Sequence, residues 1–421
     1  MINVYLFIIL VILIGKYILD LTIEILNLRH VSPELPIEFS DCYDADKYRS
    51  SQQYLKETTR LGIIADSVLT PLIVAFILLG GFNLADTIAR GWADHEIWRG
   101  LIFAGILFLA SSLVNIPFSI YGTFVIEERY GFNRTTVKTF VFDLFKGWGL
   151  AGLIGGIVFA AIIWFFSVAG SSAWLLCWGA VTAFQLFLLF IAPVTIMPLF
   201  NKFTPLEEGE LKLKIEEYAR NEDFKIKGVF TMDASRRSTK SNAYFTGFGR
   251  FRRIVLFDTL IKRHTIDELL SILAHEVGHY KKHHIMKNVL ISVLSTGVMF
   301  FVLSLFINNR GLFDAFRMSH NSIYASLFFF AFLYGPVDMI VAILGNFLSQ
   351  RFEYEADDYS ARTYGQPGSM IAGLKKLSVD NLSNLTPHPL KVFFAYSHPP
   401  VLERIRALDQ LRGEIELTDD Q

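Results

Sequence analysis

Cysteine occurs only twice in 421 residues, at Cys42 and Cys177. Two lone thiols far apart in the chain support neither a disulfide framework nor a zinc ribbon, so cysteine offers no ligands to a metal here. Charge is also scarce, at 19% of residues, and it balances: 39 Lys and Arg against 40 Asp and Glu, a net charge of -1. No basic surplus exists to neutralise phosphates, and nucleic acid is not an expected partner. The N-terminus lacks a basic start and a small-residue cleavage site, so its long apolar run does not read as a removable signal peptide. Apolar residues, by contrast, make up 52% of the chain, with 39 Phe and a mean hydropathy of +0.40. That composition is too apolar for a soluble protein of this length and reads as a polytopic membrane protein.

Runs long enough to span a bilayer occur at about 3–28, 61–83, 100–122, 148–169, 172–200, 286–308 and 322–348, which predicts seven helices. Pro71, Pro117, Pro193 and Pro336 fall inside them and predict kinks. Between successive spans the Lys and Arg counts are 5, 2, 4, 0, 16 and 2, with 8 after the last. The alternation obeys the positive-inside rule at every loop and places the N-terminus outside, with the 201–285 loop and the 350–421 tail in the cytosol. Lys16, Asp20 and Glu24 form one polar stripe on the first span, and Asp66, Asn115, Asp338 and Asn346 add polar groups to others. Facing lipid would be costly, so these groups are expected to face one another in a packed bundle or a water-filled interior.

The most specific chemistry lies in His275-Glu276-Val277-Gly278-His279. Residues four apart share a helical face, so both imidazoles can reach one Zn2+ while Glu276 serves water as general base. Thr265 to Lys282 reads as one helix, with Thr265 as N-cap, Glu268 completing a capping box, and Leu269, Leu270, Leu273, Val277 and Tyr280 at helical spacing. Gly278 is unfavourable in such a helix, and the expectation is that it leaves room beside a metal or a substrate backbone. Glu353 is the expected third ligand, because Glu353 and Asp357 lie four apart on one face, and Asp357 can hold the free ring N–H of a ligand histidine. Glu355 would point elsewhere, and His283 and His284 read as residues of the membrane interface. His279 precedes the sixth span, and Glu353 follows the seventh, by about 9–10 Å of helix rise, which puts the metal near the bilayer edge.

The 201–285 insertion predicts an amphipathic helix over Leu211–Asn221, strands over Gly228–Met232 and Ile254–Asp258, and an exposed edge strand within Ser241–Gly249. Such an edge can pair with an extended peptide through main-chain hydrogen bonds.

Glu127-Glu128-Arg129-Tyr130-Gly131-Phe132-Asn133, Ser241-Asn242-Ala243-Tyr244-Phe245, the HEVGH motif, Arg351-Phe352-Glu353 with Ala356-Asp357, and Ser397-His398-Pro399-Pro400 with Glu403-Arg404 together resemble the type I CAAX prenyl endopeptidases. The likeness runs in order along almost the whole chain. It implies an all-α membrane protein whose seven helices form a barrel around a water-filled chamber, capped on the cytosolic side by a gluzincin-like α+β metalloprotease domain. On that pattern 1–200 holds helices one to five, 201–285 the protease insertion with the edge strand and zinc helix, 286–348 helices six and seven, and 349–421 the rest of the protease domain. It further implies one Zn2+ per chain on His275, His279 and Glu353, with Glu276 as catalytic base. Asn242 and Ala243 would bind the peptide backbone, and His398 and Arg404 would support the substrate carbonyl or oxyanion.

The expected reaction is hydrolysis of a lipid-modified or membrane-associated peptide or protein after a prenylated C-terminal Cys, with a possible second upstream cut. The other readings are a quality-control protease for misfolded membrane proteins and, more remotely, a metal transporter or channel, which leaves Glu276 and the large insertion without a purpose. Short outer loops and a terminus without a dibasic retrieval signal predict a prokaryotic cytoplasmic membrane over the endoplasmic reticulum.

Overall fold

A computed structural model describes residues 3–246 and 253–419. Helix α1 (Val4–His30) is followed by α2 (Ala45–Leu78), α3 (Gly81–Trp92), α4 (Glu96–Tyr121), α5 (Val137–Leu150), α6 (Gly156–Val168) and α7 (Ala173–Ile191). Then come β1 (Phe203–Pro205), α8 (Glu210–Asn221), β2 (Gly228–Met232), β3 (Ala243–Thr246), β4 (Arg253–Phe257), α9 (Asp258–Arg263) and α10 (Ile266–Lys281). The chain ends with α11 (His284–Phe306), α12 (Arg310–Ala315), α13 (Ile323–Tyr364), α14 (Pro367–Asp380), α15 (Pro389–Ala395) and α16 (Val401–Asp419).

Seven helical stretches among the described residues are long and apolar enough to cross a membrane, and their order matches the seven sequence runs. Three depart from expectation in length, the fourth running Val137–Val168 where 148–169 was expected. Helix α2 starts well before the apolar run and stops at Gly80, whose φ of +77° only glycine adopts without cost. Helix α13 continues for 42 residues, carrying the seventh span straight into the protease domain. Pro71, Pro117 and Pro336 sit inside uninterrupted helices, while Pro193 lies in a π-helical turn after α7.

The spans are thinly packed: only 6% to 17% of the most apolar window of each is buried within the chain. Helix α1 shows what this means. Ile14 and Ile18 are 44% and 55% exposed on one face, and the Lys16 and Asp20 side chains are 64% and 44% exposed on the other. A helix with an apolar open face and a charged open face meets two different surroundings, and the charged one is costly against lipid. Lys16 bonds Asp20, and Glu24 bonds Lys391 of α15, so the stripe runs toward the domain outside the spans.

That domain is built on a four-stranded sheet in the order β1-β2-β4-β3, with β2 and β4 parallel and the outer pairs antiparallel. Its core joins sheet residues Val229, Ile254 and Leu256 to Leu269, Leu273 and Val277 of α10, Leu374 of α14 and Ile405 of α16. Phe39, Tyr43 and Tyr48, from the connection between α1 and α2 and the start of α2, pack into the same core. The predicted helix over 211–221 and strands over 228–232 and 254–258 are present within a residue at each end. Strand β3 spans Ala243–Thr246, and residues 247–249 of the predicted edge segment lie outside the described residues.

The Glu127–Asn133 segment fastens this domain to the membrane helices. Phe132 O accepts from Thr239 N at 3.0 Å, Asn133 bridges to Ser238, and Lys240 bonds both Glu127 and Tyr54 of α2. The strand leading into β3 is thereby tied to two spans.

Candidate active site

Helix α10 begins where the sequence places it. Thr265 accepts from Glu268 N, and Glu268 returns a bond to Thr265 N, a capping box that fixes the first turn. Four turns later it crosses α13 at Gly278. A Cβ there would lie 3.1 Å from the Ala356 main chain and from Tyr359 Cβ. The room left by Gly278 is therefore filled by the α13 backbone and not, as the sequence suggested, by metal or substrate. This close crossing brings the two ligand-bearing helices together.

One ligand atom each from His275, His279 and Glu353 lies within 4.8 Å of the others. The two Nε2 atoms are 3.0 Å apart, and each lies 3.3 to 3.4 Å from a Glu353 oxygen. Donors at ordinary zinc bond lengths in a tetrahedral arrangement are about 3.3 Å apart, so the triangle has the size that a zinc ion needs. The protonation pattern agrees. His275 Nδ1 donates to Asp357 Oδ1 at 2.8 Å, leaving the Nε2 lone pair aimed at His279 Nε2. Two ring nitrogens facing each other at that distance are satisfied by a proton on one of them or by a metal cation between them. Burial alone would depress the His275 pKa, but the hydrogen bond and charge of Asp357, with Glu353 beside it, outweigh burial and raise it to about 9. The same field favours a metal cation.

Glu276 lies beside this triangle and makes no hydrogen bond among the described residues. Burial raises its pKa, against the pull of His275 and His279. A carboxyl so placed is suited to accept and return a proton.

Arg404 is placed differently from the expected carbonyl or oxyanion donor. Its Nε and Nη2 bond both Asp357 oxygens at 2.8 and 2.7 Å, and its Nη1 lies 3.0 Å from Glu353 Oε2. Its side chain is only 10% exposed, so the guanidinium stands behind the carboxylates. His398 stands on the open side instead. It is 62% exposed, its Nε2 lies 3.4 Å from Glu353 Oε1, and its Nδ1 meets Ser397 Oγ at 2.9 Å. Asn346 and Gln350 of α13 hold the preceding turn through Phe394 O and Tyr396 O. Asn242 and Ala243 lie at the start of edge strand β3, where the Asn242 side chain accepts from Ala243 N at 2.9 Å.

His284 was missed. It is 1% exposed rather than at the membrane interface, with Nδ1 3.0 Å from His279 Nδ1 and Nε2 3.0 Å from Glu355 Oε2. The turn responsible is at His283, whose φ of +59° folds the chain back after α10. Glu355 does point away from the triangle, yet it reaches the site through His284. The histidine five residues after the HExxH motif was the available signal.

Comparison with known proteins shows the family. A family model described as CAAX prenyl protease N-terminal, five membrane helices, matches residues 24–202, and one for peptidase family M48 matches residues 205–412. The probable CAAX prenyl protease 1 of Schizosaccharomyces pombe is 35% identical over 411 residues, covering 94% of this chain and 86% of that protein. CAAX prenyl protease 1 of Saccharomyces cerevisiae is 33% identical, covering 89% and 88%. The crystal structure of S. mikatae Ste24p superposes with a TM-score of 0.91 at 31% identity, covering 96% of this chain and 99% of that one.

Proposed function

We propose, from the premise that this chain belongs to the CAAX prenyl protease 1 family with its M48 peptidase domain, that it removes the C-terminal residues of prenylated proteins by cutting after the modified Cys. The protein is an integral multi-pass membrane metalloprotease. The observation that carries the metal assignment is the triangle of His275, His279 and Glu353, whose size and converging lone pairs fit one zinc ion. Zinc, when bound, supplies Lewis-acid polarisation of the scissile carbonyl and of the attacking water.

The chain's own residues do the rest. Glu276 accepts the proton of the attacking water and returns it to the leaving amine. Asp357 fixes the His275 tautomer, and Arg404, bonded to both Asp357 and Glu353, acts as a positioning residue that neutralises the buried carboxylates. His398, on the exposed side, is placed to donate to the carbonyl oxygen as charge develops. Asn242 and Ala243 open the edge on which the peptide lies extended. The excess of Lys and Arg in the 201–285 loop and the tail supports a cytosolic active site.

Purified protein given matched peptides with an S-farnesylated Cys, with a free Cys, and of unrelated sequence tests this reading. Faster release of the C-terminal residues from the farnesylated peptide is the expected result. Equal cleavage of all three would favour a broad quality-control protease, and none would remove the peptidase assignment.

A further inference from the structure

The outer edge of β3 is closed at one point by a side chain. In an antiparallel pair the N–H and C=O of one residue face the same neighbour, and successive residues alternate. Phe257 N donates to Asn242 O at 3.1 Å, so Asn242 faces β4. The main-chain groups of Ser241, Ala243 and Phe245 therefore face outward. At Ser241 both are taken: Ser241 N donates to Asn381 Oδ1 at 3.0 Å, and Asn381 Nδ2 donates to Ser241 O at 3.1 Å. This is the paired exchange that a residue of an added strand would make. Ser241 is 3% exposed, closed off from solvent.

Asn381 is held for this task. It caps α14 with its N–H on Leu377 O at 3.0 Å, and the next residue, Leu382, reverses the chain with a φ of +49°. Helix α14 packs its Leu374 into the same core as α10. The amide is thus presented from a rigid helix end.

We infer that Asn381 ends the peptide-pairing edge at Ala243 and so limits how many residues can lie extended on one side of the cleaved bond. An incoming peptide can bond Ala243 O and both main-chain groups of Phe245, and reaches Ala243 N by displacing Asn242 Oδ1, but it meets an occupied partner at Ser241 and must turn away or end. A stop of this kind makes an edge-strand protease cut near a chain terminus, which is what a substrate with a short C-terminal extension requires. The inference rests on the reading that substrate pairs with β3.

The test uses full-length purified enzyme and S-farnesylated peptides of one core sequence, extended residue by residue toward the N-terminus in one series and the C-terminus in another. In the unmodified enzyme one series should stop gaining, or lose, kcat/KM at a short length. N381L, of similar size but without either bond, should shift that limit by two residues, with roughly tenfold higher kcat/KM for the longer peptides, the worth of one or two main-chain bonds. The other series should be unmoved. A uniform drop across both series, with unchanged length limits, would show that Asn381 only braces the sheet and would overturn the inference. If N381L does not fold, N381D, which keeps the acceptor and loses the donor to Ser241 O, should relax the same limit. N-methylation of successive substrate amides in the unmodified enzyme separates the two layers. Sensitivity at alternating positions supports pairing with β3, and indifference at every position would remove that premise, whatever N381L does.

Discussion

Glu276 stands apart from every other carboxylate near the metal site, because Glu353, Glu355 and Asp357 are all bonded and it is not. Its role is therefore separable from ligation. Glu276→Gln should keep bound zinc while kcat falls on the order of a thousandfold or more, with metal content and turnover measured on one preparation. Activity close to that of the unmodified enzyme would sink its assignment as base. His284 and Glu355 call for a graded outcome. Glu353→Ala removes a donor and should abolish stoichiometric zinc, whereas His284→Ala or Glu355→Ala leaves the triangle intact and should weaken zinc about 10–100-fold, the usual worth of an outer partner. Competition with a chelator ranks the three variants, and equal affinity in His284→Ala and the unmodified protein would remove His284 from the site. The candidate ligands were legible because their spacing maps directly onto one helical face. His284 was not, since its approach to His279 depends on a left-handed residue that no periodicity announces. Arg404 shows the opposite limit: its place near the site was legible by resemblance, but which side of the carboxylates it occupies is decided by packing.

At the scale of elements, α10 was readable to within a residue because cap, apolar face and motif all agree. Helix α13 was readable as a span and as a helical face carrying Glu353 and Asp357, but not in its full length. Its extension to Tyr364 depends on burial of Phe352, Ala356 and Ala361 against the protease core, which composition within the bilayer does not reveal. The junction before α10 carries a pH dependence of its own. Burial lowers the pKa of His264 against the opposing influence of Glu268, and its Nε2 has no partner among the described residues. A histidine depressed in the folded state takes its proton first in the unfolded chain, so its contribution to stability is present above the ordinary pKa near 6.5 and is lost as pH falls below it. Thermal unfolding of the detergent-purified protein from pH 7.5 to 5 should show this loss, and His264→Phe should flatten it. An unchanged slope in the variant would assign the acid sensitivity to other groups.

For the whole molecule, the decisive property is that the spans enclose more than they pack. Seven apolar runs were evident from composition, but the hollow interior was expected only from the polar stripe of α1 and from family likeness. The exposure of both faces of that helix now gives it a physical basis. If Lys16 and Asp20 face water inside the bundle, single Cys substitutions there should react quickly with a small membrane-impermeant thiol reagent in detergent-purified protein lacking Cys42 and Cys177. Cys at Ile14 or Ile18 should react slowly, because attack needs the thiolate, which water favours and an apolar surface suppresses. Zinc occupancy of each variant confirms that the fold survives the lost Lys16 to Asp20 pair. Fast labelling on the charged face alone establishes an aqueous chamber leading toward Glu24, Lys391 and the protease domain, whereas equally slow labelling of both faces would mean that the charges are shielded in a closed bundle.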